Sequence, residues 1–402
     1  MEILSKVYSI VVACLLAALS GKAVQAEDHL YDWTKAFGSA GGDVANSVAV
    51  DSSGNMYLVG YFPMTVDFDP GAGVDNRTSA GEADAFVSKY DATGNYQWTK
   101  TFGGTGDDRA ISVAVDSSGN VYIGGYFGNT VDFDPGAGVD NRTSAGSDDA
   151  FVSKYDASGN YQWTKAFGGT GYDDAWSVAT DSSGNVYVAG GFRSTVDFDP
   201  GAGVDNRTNA GSYDTFVSKY DASGNYQWTK AFGGTGSDDA YSVAVDSSGN
   251  VYIGGYFRNT VDFDPGAGVD NRTSAGSDDT FVSKYDASGN YQWTKAFGGT
   301  GDDWANSVAV DSSGNVYIGG VFEITVDFDP GAGVDNRTNA GSYDAFVSKY
   351  DASGNYQWTK AFGGTGEEAA YSVATDNSGN VYIGGYFENT VDFDPGAGVD
   401  NR

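Results

Sequence analysis

An all-β fold is predicted for this 402-residue chain by three features of its sequence. One set of motifs returns every 65 residues: Asp-Phe-Asp begins at Asp67, Asp132, Asp197, Asp262, Asp327 and Asp392, and Trp-Thr-Lys at Trp33, Trp98, Trp163, Trp228, Trp293 and Trp358. Within each unit, short runs alternate apolar and polar residues in period two and break at Gly-containing turns, as strands and hairpins do. No window carries an apolar period of about 3.6 residues, so no amphipathic helix is expected. Four antiparallel strands per unit, repeated through six units, predict a β-propeller of about six four-stranded blades. A stacked solenoid is the alternative, and two hairpins per unit fit it less well.

The chain opens with "MEILSKVYSIVVACLLAALSGKAVQA": Lys6, an apolar run from Val7 to Leu19, then small residues before Glu27. This pattern predicts a secretory signal peptide over residues 1–26, too short to span a bilayer, and leaves 27–402 as the repeat domain. The "VVAC" box at 11–14 resembles a lipid-attachment signal at Cys14, but the apolar run continues past that cysteine. Cys14 is the sole cysteine, so the cleaved chain would hold no disulfide, thiolate metal site or cysteine nucleophile.

Residues 112–116, "SVAVD", form the first strand signal of a unit (strand A) and run through "SSGN" into "VYIGGYF" at 121–127 (strand B). "AFVSKYD" at 150–156 (strand C) and "YQWTKAF" at 161–167 (strand D) form a second hairpin around "ASGN". Propeller units commonly run about 40–50 residues, and the surplus here matches the Gly- and Asp-rich stretch between B and C, such as "NTVDFDPGAGVDNRTSAG" at 129–146. The run "DAFVSKYDASGNYQWTKAFGGTG", followed by an acidic residue and "SVAVDSSGNVYIGG", resembles the SBBP-type β-propeller repeat of bacterial exported proteins across residues 31–402. That resemblance implies a propeller and a secreted or surface location. It implies no activity, and the long B–C insert departs from shorter members.

Strands A, B and D occur six times and C five, because the chain begins with a D-type strand at Tyr31–Phe37 and ends soon after B, at "GVDNR". Two expectations follow: a chain cut inside a repeat with an incomplete last blade, or an imperfect ring with an edge strand open to pairing.

Alternation of strand direction puts the A–B and C–D turns on one face and the B–C and D–A loops on the other. Differences between copies gather on the second face: "GDDRAIS" at 106–112, "YDDAWS" at 172–177, "SDDAYS" at 237–242, "EEAAYS" at 367–372, and the exits of B from "FPMT" to "FENT". Ligand contact is therefore expected there, or else loops drift freely. Trp176 and Trp304 occur singly in the D–A loops and are the candidate residues for contact with a protein or glycan partner. The recurring Tyr90, Tyr96 and Trp98 are expected between blades.

The same face is expected to carry acids: Asp108, the insert's Asp132, Asp134 and Asp140, and Asp149. Calcium is the one candidate cofactor. "DFDPGAGVD" places carboxylates at loop positions 1, 3 and 9, giving Asp67, Asp69, Asp75; Asp132, Asp134, Asp140; Asp197, Asp199, Asp205; Asp262, Asp264, Asp270; and Asp327, Asp329, Asp335. Gly71 at position 5 and Thr78 at position 12 leave the loop two side chains short of a calcium loop of this type. The competing expectation is that Asp67 and Asp69 hydrogen-bond their own turn. "NRT" tripeptides, as at 76–78, fit the glycosylation acceptor but repeat one coincidence.

With 22 Lys+Arg against 54 Asp+Glu, the formal net charge of −32 argues against nucleic acid or an anionic membrane as partner. The one histidine, His29, beside the cleavage site, makes a Ser-His-Asp triad or a His-ligated metal an unsuitable basis for function. No repeat carries its own acid–base set. An exported binding or adhesion scaffold is the leading expectation, with a purely structural surface spacer and a carboxylate-based glycan-active enzyme as alternatives.

Overall fold

The computed structural model describes residues 33–376, 378–396 and 398–402, and every regular element among them is a strand. The expected signal peptide, Cys14, His29 and Tyr31 lie outside the described residues. Five units fold as four-stranded antiparallel sheets in the order A-B-C-D; the second comprises Arg109–Val115, Val121–Phe127, Asp149–Tyr155 and Tyr161–Phe167. Strands B and D match the sequence expectation residue for residue. Strand A starts three residues before it, within the stretch that reads as a variable loop.

Both hairpin turns are set by one aspartate. Asp116 Oδ1 accepts Ser118 N and Asn120 N, both at 2.9 Å, while Gly119 at φ 81° turns the chain where a side chain would be strained. Asp156 repeats this arrangement between C and D.

Consecutive sheets are joined through their A strands, each packed on the next along the chain. Val178 N donates to Ser112 Oγ at 3.1 Å and Val308 N to Ser242 Oγ at 3.0 Å, ties that the near-identical units repeat. At the other end of the sheets, Lys154 Nζ lies over the Tyr122 ring and donates to Ala222 O of the following unit at 2.9 Å. Apolar clusters fill the gaps between sheets: Tyr57, Val59 and Val87 of the first unit pack with Val113, Ile123 and Phe151 of the second. Tyr90 is buried, and Trp98 packs against this cluster, as the sequence predicts.

The B–C insert is a β-hairpin rather than an irregular loop, with Thr130–Asp132 paired to Asn141–Thr143. In the fourth unit the hairpin is continuous with B and C, giving Val251–Asp262 and Asn271–Tyr285. Val131 and Phe133 are fully buried, and Phe133 meets Phe102 of the preceding unit as well as Phe127 and Phe151 of its own. Neighbouring sheets splay apart away from their A strands, and the insert fills that wedge with an aromatic residue worth several kcal/mol of burial (about 3–5 kcal/mol if truncated).

Two sequence expectations are corrected. The insert doubles back along its sheet: Tyr155 OH donates to Phe133 O at 3.3 Å, and Tyr161 OH donates to the Asp140 carboxylate, both beside the C–D turn. Asp132, Asp134 and Asp140 therefore travel with the insert away from the D–A loops, and the single acidic face predicted from alternation splits in two. Trp33–Phe37 forms no ladder; instead Phe37 packs on Phe68, Phe86 and Tyr90 as Phe102 packs on Phe133, Phe151 and Tyr155. Among the described residues the strands of the sixth unit are Ala369–Thr375 and Val381–Tyr386, with a bridge between Asp392 and Asn401, and Tyr382 and Phe387 are exposed where Tyr122 and Phe127 are buried.

Candidate functional site

Strand A carries a β-bulge at the same place in every unit. In the second, Ala110 faces Gly125 and Ser112 faces Gly124, which leaves Ile111 as the extra residue. The partner strand admits this because it is glycine where the bulge presses closest: a Cβ on Gly125 would overlap the Arg109 carbonyl. A bulge re-aims the side chain it leaves unpaired. Here the six unpaired residues, Asn46, Ile111, Trp176, Tyr241, Asn306 and Tyr371, all line one cavity of about 570 Å³. They are Asn in two units, Tyr in two, Ile in one and Trp in one, whereas the Ser and Val that follow them recur in all six units.

Trp176 and Trp304, singled out in the sequence, both line this cavity, although they come from different positions of the repeat. Trp176 is a bulge residue, and Trp304 begins strand A of the fifth unit. Their indoles are held from behind: Trp176 Nε1 donates to Asp239 Oδ2 and Trp304 Nε1 to Asp278 Oδ2, each at 3.2 Å. Asp278 also accepts Arg258 Nε at 2.7 Å. Rings continue from one to the other as Trp176, Tyr241, Tyr256, Trp304 and Tyr343, with centroids 6.1, 5.5, 6.2 and 5.9 Å apart in turn. Tyr241, Tyr343, Tyr371 and Tyr386 are lining residues that sequence reasoning missed. For Tyr241 and Tyr371 the available signal was the variable column between an invariant Ala and an invariant Ser.

Behind the rings sits a row of buried acids. Asp108 accepts Gly104 N at 2.7 Å and Gly128 N at 3.0 Å, bracing the D–A loop against the exit of B; Asp173, Asp238 and Asp303 do the same in their units. Burial pushes Asp108 and Asp303 up to about 7, and Asp173 and Asp238 up to about 6, against the pull of those N–H groups. Asp174 rises to about 7 by burial and then by the charges of Asp148 and Asp173. Asp239 is driven well above the usual carboxylate range by burial and then by Asp174. Gly191 stands where four other units have Tyr, and a Cβ there would lie 2.6 Å from Asp239 Oδ1, so the small residue makes room for this carboxyl.

The candidate calcium residues engage protein donors. Asp67 Oδ1 accepts Asp69 N at 3.1 Å and Asp75 N at 2.8 Å, Asp69 Oδ1 accepts Gly71 N at 2.8 Å, and Asp75 pairs with Arg77 at 2.8 Å. The sets led by Asp132, Asp197, Asp262 and Asp327 repeat the pattern. Among the described residues no three acidic, His or Cys groups come together as a metal-holding set.

With strand, loop and bulge placed, comparison with known sequences decides the repeat. Four segments, residues 97–126, 162–190, 227–256 and 292–321, match the family model described as a β-propeller repeat, SBBP. The chain carries the SBBP repeat. Each SBBP match covers strand D, the D–A loop and strands A and B, and so includes the bulge; the insert lies outside. The chain is 30% identical over 207 residues to the regulatory protein FlaEY of Caulobacter vibrioides, covering 50% of this chain and 21% of that one. It is 25% identical over 399 residues to an uncharacterized WD repeat-containing protein, L264, of Acanthamoeba polyphaga mimivirus, covering 84% and 28%. It thus spans about a quarter of the length of these curated relatives. Among solved structures, a protein of unknown function from Bacteroides caccae is similar at 10% identity with a TM-score of 0.37, covering 81% of this chain and 84% of that one. No helix among the described residues is long and apolar enough to cross a membrane.

Proposed function

We propose that this β-propeller repeat protein is an exported, non-catalytic binding scaffold whose six units surround an axis, with the bulge-lined cavity as its contact site. The observation that carries it is the convergence of the six bulge residues: units that are otherwise near-identical differ where they meet at one mouth. A cavity of this size, mostly apolar and rimmed by a few polar groups, suits a small ligand or a protruding side chain of a larger partner. Support for the non-catalytic part comes from the buried acids beside the site, most of which brace backbone N–H groups.

Glycan and peptide arrays test the proposal. The intact protein should retain at least one class of probe, and the W176A/W304A pair should lose it while still folding to the same all-β circular-dichroism spectrum. No retention by either protein would support a spacer instead, and equal retention by both would place the contact away from the cavity. Export is checked by N-terminal sequencing of material outside the cytoplasm, which should begin at Glu27.

Calcium is left out of the proposed function, because the loop carboxylates already accept backbone N–H groups. The midpoint of thermal unfolding is expected to be the same in EDTA and in millimolar calcium. An upward shift with calcium would return the metal to the insert loops.

A further inference from the structure

Strand B of the sixth unit carries one ladder where the other five B strands carry two. Among the described residues Val381–Tyr386 pairs with Ala369–Thr375 alone, whereas Val121–Phe127 lies between strands A and C of its sheet. An edge left in this state is a template for another strand.

The side chains beside this edge show what it is shaped to take. Ile383, Phe387 and Phe393 are 40, 44 and 38% exposed, where Ile123, Phe127 and Phe133 are 0, 1 and 0% exposed. Together with Gly385, Val391 and Phe362 of the fifth unit, they line a cavity of about 310 Å³. In the second unit the corresponding space holds the Phe151 ring of strand C, packed 5.5, 6.4 and 5.0 Å from Phe102, Phe127 and Phe133. The walls are in place in the sixth unit, since Phe387 and Phe393 stand 5.2 Å apart, as Phe127 and Phe133 do. The cavity therefore lies where a phenylalanine of strand C belongs.

Two further contacts of strand C have counterparts here. Lys154 Nζ lies 5.1 Å from the centre of the Tyr122 ring, and Tyr155 OH donates to Phe133 O at 3.3 Å. The exposed Tyr382 ring and Phe393 O occupy those places in the sixth unit. Strand C pairs Phe151 with Gly125, Lys154 with Tyr122 and Tyr155 with Val121, so the same register sets Phe opposite Gly385, Lys opposite Tyr382 and Tyr opposite Val381.

We propose that the sixth unit binds an extended segment of a partner protein that carries Phe-x-x-Lys-Tyr, taken up as a third strand antiparallel to Val381–Tyr386 with the Phe ring in the cavity. Main-chain hydrogen bonds give an added strand its affinity, and pockets for its side chains give it specificity. The occupant is named by the molecule itself, because five copies of this edge are covered by a strand of this pattern.

The test titrates the intact protein with an acetylated and amidated octapeptide, DAFVSKYD, the sequence of residues 149–156. Calorimetry is expected to give a Kd of about 100 µM or tighter, and hydrogen exchange should slow at Val381–Tyr386 and leave the other B strands unchanged. Phe151→Ala in the peptide should weaken binding by about tenfold or more, and a scrambled peptide of the same composition should not bind. These peptide variants leave the folding of the protein untouched. Ile383→Asp, which puts a charge into the cavity wall, should weaken the peptide by about tenfold or more. The W176A/W304A pair should bind the peptide as the intact protein does, which keeps this result separate from that of the bulge-lined cavity. No binding at about 1 mM, equal binding of the Phe and Ala peptides, or binding without protection of Val381–Tyr386 overturns the inference. Protection of that strand in the protein alone, lost on dilution, overturns it as well and assigns the edge to a second copy of this chain.

Discussion

Gly125→Ala is expected to destabilise the protein by on the order of 2–4 kcal/mol, whereas Gly124→Ala, one residue earlier, should change stability by less than about 1 kcal/mol. The two glycines face opposite sides of strand B. A methyl group on Gly125 collides with the Arg109 carbonyl and comes within 3.0 Å of the Phe151 ring, so the bulge in strand A must flatten or the sheet must part. On Gly124 it meets Val178 and Ala175 at 3.6 and 3.7 Å, ordinary contact distances. The units already contain this comparison. Val59 and Ala189 replace the first glycine in the first and third units, while Gly60, Gly125, Gly190, Gly255, Gly320 and Gly385 fill the second position in all six. Thermal or urea unfolding of the two variants measures the difference; equal stabilities would mean that the bulge does not depend on glycine.

Acidification should stabilise the fold. Asp108, Asp149, Asp174 and Asp303 are raised to about 7 by burial, and Asp239 further. In the unfolded chain these groups titrate near 3.9. Between those values the folded chain binds more protons than the unfolded one, so stability is fully present below about pH 4 and is lost as pH rises through about 7. Each unit of pKa difference corresponds to about 1.4 kcal/mol, so a single such group supplies on the order of 3–4 kcal/mol between pH 8 and pH 4. The net charge of −32 pushes the same way, since protonation relieves self-repulsion. The unfolding midpoint is thus expected to be higher at pH 5 than at pH 8. Asp174→Asn, which removes a buried carboxyl with no bracing N–H, should flatten the profile and raise the midpoint at pH 8. A midpoint that climbs with pH would contradict the burial of these acids.

Much of the architecture is legible in the residues because it is local. Asp116 and Gly119 specify their turn within five positions, and the apolar run of strand B and the alternation of strand D are read directly. The bulge is not legible in this way: an extra residue interrupts the period of two, so Arg109, Ala110 and Ile111 read as loop although Arg109 and Ala110 pair with B and Ile111 is the bulged residue after them. The insert hairpin is hidden for a related reason. Its strands are three residues long and rich in Asp and Thr, and their stability comes from Val131 and Phe133 reaching a neighbouring sheet. Of the candidate site, Trp176 and Trp304 are visible as singular residues. Tyr241 and Tyr371 occupy the same column as Trp176 but resemble ordinary variation, and only the arrangement of units in space brings them together.

Because the bulge separates one freely varying residue from its invariant neighbours, a genetic exchange between any two copies of the repeat would reorder the side chains around the mouth without touching the parts that fold. Unequal crossing-over, to which near-identical tandem segments are prone, would act here as a shuffling device. It would generate new combinations at the mouth while leaving the glycine and serine framework of every sheet intact.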